Sequence, residues 1–556
     1  MNHKFALKPL TLAIFAALSG VSAVNVQAVT LQEVTVLAIK NSPKIMTEGI
    51  NVKLKGADKD IAYKFFDPKL EASFQTEKLG GFGYPSELEL LSLNSLGSIT
   101  GLPNTAFIPD NSRTEDLKLA LTKIFLNGLY TQVGVNLTQK TSDKDMLNAS
   151  SALNQLNLTG FQGGGLTLDN YFPLTYGVVK FVTRIPLWGR GDLSEAIGDY
   201  TSKEYKFQAA LANMNYAISS ILASAVYAYW DNRAALARYE IRKASFERVK
   251  KWQQRINEVV DHMPNGKAIR AANASELGRI TGFVEEKRKD FNTAETELND
   301  SRAALANSIG IPLKKAKEIG DATDTIPSLA SEDGINPDAW NDLALEKRFD
   351  LKAFRLEDQA ATELLNWMID YNKPELNVIM ALHQQMATFG QDAASGFENA
   401  LKNFSGDLGY TAGIQFTMKL DNSAGRGRAT QATLNKMKNQ IDLDSAVRKT
   451  AIDLKGLADK LKTSISTAKS ANQSAAAYRQ SVEAAQSDKR QTFETAFRQF
   501  DTERYWANAE ADRVNAEAAL AKVIIEIRHQ TGTLVNPAEG DNEVSLQDMV
   551  TLPKKQ

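Results

Sequence analysis

Two long stretches of this chain lack proline and carry a heptad spacing, and they limit what it can fold into more than any other feature. No proline falls between Pro186 and Pro264, or between Pro374 and Pro537. In the first stretch Phe207, Leu211, Met214, Ile218, Ile221, Ala225 and Ala228 step alternately by four and three residues. In the second, Val447, Ala451, Leu454, Ala458, Leu461, Ile465 and Ala468 do the same. An apolar residue every 3.5 positions is a coiled-coil seam, and the alanines let neighbouring backbones come close. The spacing predicts long helices over about 190–262 and 268–309, and again over about 428–488 and 496–530. A helix over 192–260 extends on the order of 100 Å at about 1.5 Å per residue. That is more than a globular domain uses, and it suits a rod or the wall of a tunnel.

The chain also repeats itself. A shift of 306 residues lays Leu37, Ala38 and Ile39 on Leu343, Ala344 and Leu345, and Pro68 on Pro374. It lays Leu70, Ala72 and Phe74 on Leu376, Val378 and Met380. A shift of 233 lays Ile185-Pro186-Leu187 on Met418-Lys419-Leu420, and similar glycine turns follow, Gly189-Arg190-Gly191 and Gly425-Arg426-Gly427. The pattern reads as a tandem duplication. Its copies are 29–310 and 337–535, with a linker over 311–336 and a tail over 536–556.

Each copy holds a pair of period-two segments, about 69–78 and 177–187 in the first, 375–384 and 410–420 in the second. Val179, Phe181, Thr183 and Ile185 alternate with Lys180, Val182 and Arg184; Tyr410, Ala412, Ile414 and Phe416 alternate with Thr411, Gly413 and Gln415. Such alternation fits a transmembrane barrel, but one strand alone fits an ordinary half-buried sheet better, because the barrel signal per segment is weak. Four strands cannot close a barrel alone, since membrane barrels start at about eight. An open edge in lipid leaves backbone groups unpaired at roughly several kcal/mol each. If these strands cross a membrane, several copies must share one ring, and this argument leaves the number of copies open.

The N-terminus has the pattern of a secretory signal over 1–28: Lys4 and Lys8, the apolar run Leu10 to Leu18, then small residues. The expected cut follows Ala28, with Ala23 as the second site. Beyond it no run approaches the roughly 20 apolar residues of a spanning helix. The 65 basic and 66 acidic residues leave a net charge of -1, so nothing favours nucleic acid. The absence of cysteine removes disulfides, thiolate metal sites and a lipid-attachment cysteine. The four histidines, His3, His262, His383 and His529, are too scattered to suggest a metal site. There is no nucleophile elbow, phosphate loop, dinucleotide fingerprint or zinc helix. We expect no cofactor, no metal and no enzymatic activity.

Taken with the export signal, three sets of segments carry a resemblance. They are the repeat openings (LQEVTVLAIKNSPKI, PDAWNDLALEKRFDL), the strand-to-helix junctions (IPLWGRGDL, MKLDNSAGRGRA) and the repeat endings (AALANSIGIP, AALAKVIIEIRHQTGTL). Their order, twice over, resembles the TolC-like outer-membrane efflux family across nearly all of the chain after the signal. The resemblance implies a mainly α chain with a β-barrel part. Three chains would form a 12-stranded outer-membrane barrel continued by a long periplasmic α-helical barrel, with 311–336 and the tail as an equatorial collar. It implies a homotrimer in the outer membrane of a Gram-negative bacterium. That trimer would work with a periplasmic adaptor (a membrane fusion protein) and an inner-membrane pump, in efflux or type I secretion. The rival reading is a soluble periplasmic coiled-coil adaptor or structural protein.

Two features depart from the family. The first strand pair is widely separated, 118 residues from Pro68 to Pro186 against 45 from Pro374 to Lys419. We expect an enlarged extracellular loop over about 79–175. The alternative is a further hairpin, because Leu117, Leu119, Leu121 and Val133, Val135, Leu137 alternate around Asn127-Gly128. The second departure is Ala496, where the family usually has a glycine between the helices of copy two; copy one keeps Gly266.

In such a family the periplasmic helix tips close the channel with polar rings. Here the tip candidates are Asp488, Glu494, Arg498, Asp501 and Glu503 around the second turn, and Lys267, Arg270 and Glu276 around the first. A carboxylate repeated by symmetry becomes a ring that draws cations; Asp501 is the leading choice, and a solvated helix end is the alternative. Lys180, Arg184 and Lys419 are lumen candidates, with snorkelling towards headgroups as the other reading. Tyr171, Phe172, Tyr176 and Trp188 fit either an aromatic girdle or ordinary packing. Arg190-Gly191-Asp192 reads as a turn and helix cap, not as an adhesion signal.

Overall fold

The computed structural model describes residues 26–78, 112–142, 174–262, 264, 273–311, 319–327, 334–389, 395, 398, 402, 408–487, 493–535 and 551–554. Among them the elements run β1 (Val26–Val29), α1 (Leu31–Asn41), α2 (Pro43–Tyr63), β2 (Lys69–Lys78), β3 (Ser112–Ile124), β4 (Tyr130–Ser142), β5 (Leu174–Trp188), α3 (Asp192–His262) and α4 (Ala274–Ser308). Then follow β6 (Ile319–Ala322), α5 (Pro337–Lys347), α6 (Phe349–Tyr371), β7 (Glu375–Phe389), β8 (Gly409–Thr417), α7 (Ser423–Ser487) and α8 (Phe493–Gln530). They fall into two compact units. One, mainly helical, is drawn from Met1–Asp58, Lys203–Ala361 and Asn435–Gln556; the other, which holds the large sheet, from Lys59–Ser202 and Thr362–Leu434.

The 306-residue shift has a structural counterpart in the helical unit. Thr30 caps α1 through a capping box with Glu33, and Asn336, 306 residues on, caps α5 by accepting from the Ala339 N–H. The helices α4 and α8 close with the same device. Gly310 and Gly532 both have φ 70°, with Ile311 N–H donating to the Ala306 carbonyl and Thr533 N–H to that of Arg528, each at 2.9 Å. This left-handed cap relieves carbonyls left over at the helix end. A Cβ on Gly310 would meet the Asn41 carbonyl oxygen at 2.6 Å, and one on Gly532 the Lys347 carbonyl at 2.7 Å. Asn41 and Lys347 are the same position of the repeat.

The heptad residues form the cores. Met214, Ile218 and Ala225 are buried with Leu31, Val34, Tyr229, Trp230, Leu305 and Ile309. Leu454, Ala458, Leu461, Ile465 and Ala468 are buried with Trp340, Leu520, Ile524 and Ile527. A third cluster joins Val249, Trp252, Ile280, Val284 and Phe500. One 18-residue window of α3 is apolar enough to cross a bilayer by length and composition, with mean hydropathy 1.3, where the sequence had suggested no such run; 61% of it is buried within the chain.

Within the linker, β6 pairs in parallel with β1, Val26 opposite Ile319 and Val29 opposite Ala322. This pairing includes two residues, Val26 and Ala28, that a cut after Ala28 would remove. From the tail, Thr551 is held by Arg528, whose guanidinium donates to its carbonyl and hydroxyl at 2.7 Å.

The sheet corrects the strand count. Its order is β2-β3-β4-β5-β7-β8, antiparallel throughout. Within the segment expected to be a loop, β3 and β4 form a hairpin that lies between β2 and β5. Among the described residues the sheet has six strands where four were expected, and it is open, with β2 and β8 at its edges. Segments 79–111 and 143–173 lie outside the described residues. The glycine run of copy two is also corrected: Gly425 and Gly427 fall inside the first turns of α7, and Asn422 caps the helix by accepting from the Gly425 N–H at 3.0 Å.

Candidate functional site

The register gives the sheet two chemically distinct faces. Leu70 lies opposite Leu121, Ala72 opposite Leu119 and Phe74 opposite Leu117. The row continues through Val133, Val135 and Leu137 on β4 to Phe181, Val179 and Gly177 on β5. From there it passes to Leu382, Met380 and Val378, then to Tyr410, Ala412 and Ile414. Because side chains alternate along a strand, this is one apolar face across all six strands. Most of it is bare: Leu70 is 67% exposed, Phe74 61%, Leu121 49%, Val133 47%, Leu382 45% and Ile414 74%. Leu137, nearer the far end of β4, is buried.

The opposite face carries Glu71, Ser73 and Gln75, then Lys118 and Asp116, Gln132 and Asn136, Lys180 and Arg184, His383, Thr411 and Gln415. Lys180 and Arg184 are both exposed here, Arg184 with its guanidinium 5.3 Å from the Tyr130 ring centre. Lys419 is not on the sheet. The strand β8 stops at Thr417, and Lys419 donates to Tyr371 at 3.1 Å and pairs with Asp192 at 3.3 Å beside the start of α3. Trp188 ends β5 past a bulge at Pro186, half exposed, and the bulge brings it opposite Leu376 on the apolar side. Tyr171 and Phe172 lie outside the described residues; Tyr176 is on β5 opposite Thr138, but its side chain is not described.

At the strand-to-helix junction, Arg190 joins three elements, a role that the turn reading of Arg190-Gly191-Asp192 missed. Its guanidinium donates to the Asn127 carbonyl at 3.3 Å, pairs with Asp370 at 3.3 Å and lies 5.3 Å from the Trp367 ring centre. Asp370 also accepts from Ser194 at 2.8 Å and Lys373 at 3.1 Å. Burial pushes its pKa up, but these donors and the cations Lys373 and Arg190 outweigh that and hold it below the ordinary aspartate value. Asn127 belongs to the β3–β4 turn, where Phe125 N–H donates to the Leu129 carbonyl at 2.9 Å and Gly128 takes φ 91°. A Cβ there would meet Pro186 Cγ at 2.9 Å, so the turn packs closely on the junction.

The tip candidates separate in the helical unit. Glu494 pairs with Arg498 at 3.6 Å and Asp501 with Arg504 at 3.2 Å, all on solvent-facing positions. Glu276 lies in the first turn of α4, half-buried. Asp488, Lys267 and Arg270 lie outside the described residues. Glu503 departs from its expectation as a tip residue. It is fully buried and held by Arg248 at 2.7 and 3.0 Å, and that guanidinium is 4.6 Å from the Trp506 ring centre. Nothing local in the sequence marks a pair 255 residues apart. Among the described residues no group of three or more metal-binding side chains occurs.

No protein-family model and no curated protein matches the chain. Solved structures do. The CmeC outer membrane channel of Campylobacter jejuni superposes with TM-score 0.57 at 14% identity, covering 94% of this chain and 90% of that one. This is the TolC-like outer-membrane channel fold. The outer membrane protein VceC of Vibrio cholerae gives TM-score 0.55 at 13% identity over 90% of this chain and 96% of its own. The MtrE outer membrane channel of Neisseria gonorrhoeae, in its open state, gives 0.53 at 13% over 92% and 93%. These neighbours are outer-membrane channels or outer-membrane proteins.

Proposed function

We propose that this TolC-like chain is the outer-membrane channel of a tripartite efflux or type I secretion system. Three copies share one barrel in the outer membrane of a Gram-negative bacterium, and the long helices extend into the periplasm. There they meet a periplasmic adaptor and an inner-membrane pump, and substrates pass outward without chemistry at the channel.

The carrying observation is the exposed apolar face that crosses all six strands, with a polar face behind it. A face of this size in water would be a large exposed apolar patch; against lipid it is the outside of a barrel and the polar face its lumen. The free edges β2 and β8 support closure between copies, since lipid cannot satisfy their backbone groups. The alternating signs of Glu494, Arg498, Asp501 and Arg504 support a charged helix end near the periplasmic opening, with Asp501 our choice for the constriction.

Fractionation of the producing cell tests the reading. The chain is expected in the outer membrane, and its deletion is expected to raise drug susceptibility or remove proteins from the medium. Recovery in the soluble periplasm with neither phenotype would favour a periplasmic coiled-coil protein instead.

A further inference from the structure

We propose that the β3–β4 hairpin is a third membrane-spanning hairpin in each chain, so that three copies joined β8 to β2 close an eighteen-stranded barrel. The inference rests on the channel reading above and adds to it the width of the pore. Its ground is the position of the hairpin inside the sheet. Every residue of β2, from Lys69 to Lys78, is paired with a residue of β3, from Thr122 to Arg113. Tyr130 to Lys140 of β4 are paired with Arg184 to Leu174 of β5. No pairing joins β2 to β5. If β2 and β5 cross the bilayer, the two strands hydrogen-bonded between them cross it at the same height.

The side chains agree with that height. Leu117, Leu119 and Leu121 continue the apolar rows of β2, and Val133 and Val135 continue those of β5, while Lys118 and Asn136 face each other on the polar side. Each strand of the hairpin has 13 residues, enough for a tilted crossing of about 9–11. The connections also fit. The short Phe125–Leu129 turn sits at the strand-to-helix junction under Arg190, and the long segments 79–111 and 143–173 leave from the opposite ends of the strands. Short turns on the periplasmic side are the habit of outer-membrane barrels.

The edges accept a second copy of the same chain. With six antiparallel strands, β2 and β8 run in opposite directions, so β8 of one copy meets β2 of the next in antiparallel pairing with no conflict of direction. Both edge strands carry the same alternation, Leu70, Ala72 and Phe74 against Ala412, Ile414 and Phe416, so the apolar face continues across the seam. Barrel diameter grows roughly linearly with strand number, so eighteen strands give an opening about 1.5 times as wide as twelve.

The absence of native cysteines makes the test direct. Leu119→Cys, Val135→Cys, Lys118→Cys and Asn136→Cys are made singly in the full chain and reconstituted in lipid vesicles. A water-soluble maleimide is expected to modify the Lys118 and Asn136 variants and spare the other two, which a lipid-soluble reagent reaches. Ala72→Cys is also combined in turn with Tyr410→Cys, Ala412→Cys, Ile414→Cys and Phe416→Cys, the β8 positions on the same face; at least one pair is expected to give disulfide-linked oligomers up to three chains. Equal modification of all four single variants by the water-soluble reagent, with conductance retained, would overturn the third hairpin and leave the channel reading standing. Oligomers cross-linked by none of the pairs would overturn the β8–β2 seam. Loss of both membrane insertion and conductance in the unmodified chain would remove the channel reading and this inference with it.

Discussion

Glu503 and Arg248 form a bidentate ion pair, at 2.7 and 3.0 Å, in which the carboxylate has no solvent exposure and the guanidinium keeps 28%. It joins α3 to α8 next to the apolar cluster of Trp252, Ile280 and Phe500. Removing one partner of a buried pair leaves the other uncompensated, at about 3–5 kcal/mol. Arg248→Ala strands the fully buried carboxylate and is expected to cost within that range. Glu503→Ala is expected to cost less, roughly 2–3 kcal/mol, because Arg248 reaches water. Thermal melts of helical circular dichroism on both variants and their double check this, the double costing less than the sum.

His529 gives the helical unit a dependence on pH. It is buried, bonded to Ser219 Oγ at 2.8 Å and stacked on Tyr216 at 5.3 Å. Burial lowers its pKa from the ordinary histidine value; the neighbouring Glu526 and Asp350 oppose this, and Arg348 and Lys44 add to it. The unfolded chain therefore takes up the proton first as pH falls. The stability contributed by neutral His529 is complete above about pH 6.5 and is lost progressively as pH drops from there towards its folded value. His529→Gln is expected to flatten the melting temperature against pH between about 7 and 5. An unchanged slope would remove His529 as its cause.

Asp370 acts at lower pH. Its folded pKa is depressed, so the stability it lends to the junction is present above the ordinary aspartate value of 3.8 and is lost as pH falls through the lower folded value. Arg190→Ala removes one of its cations and the clasp on the Asn127 carbonyl. That variant is expected to form fewer oligomers on mild gels at neutral pH, whereas Arg190→Lys, keeping the charge, recovers part of the wild-type yield.

The helix-ending glycines separate backbone from packing effects. Gly310→Ala and Gly532→Ala each force a Cβ into a left-handed residue and against a carbonyl, and each is expected to cost at least about 1–2 kcal/mol. Gly278→Ala and Gly282→Ala, inside α4 with nothing within 4 Å of the added carbon, are expected to stabilise by roughly 0.5–1 kcal/mol. Urea denaturation of the four variants provides the comparison.

Much of this was legible in sequence where the signal is periodic. The seams through Met214 and Leu461 became cores because helix geometry turns a 3.5-residue spacing into one face. The 306-residue shift reappears in the caps Thr30 and Asn336 because local hydrogen bonding sets helix starts. The hairpin over Leu117–Leu137 was visible as alternation, but the long separation of the first strand pair favoured a loop, and only pairing to β2 and β5 decides otherwise. Arg190 read as part of a turn, since its partners Asn127 and Asp370 lie 63 and 180 residues away. Glu503 read as a helix-tip charge for the same reason: burial of a polar residue comes from the tertiary fold, and no local pattern encodes it.

The proposed channel requires that copies of this chain jointly close a conducting barrel. Purified chain in detergent, with the mass of the assembly measured and the same material added to planar bilayers, tests it most directly. A threefold assembly that gives discrete conductance steps is expected. A monodisperse monomer that leaves the bilayer silent would contradict it.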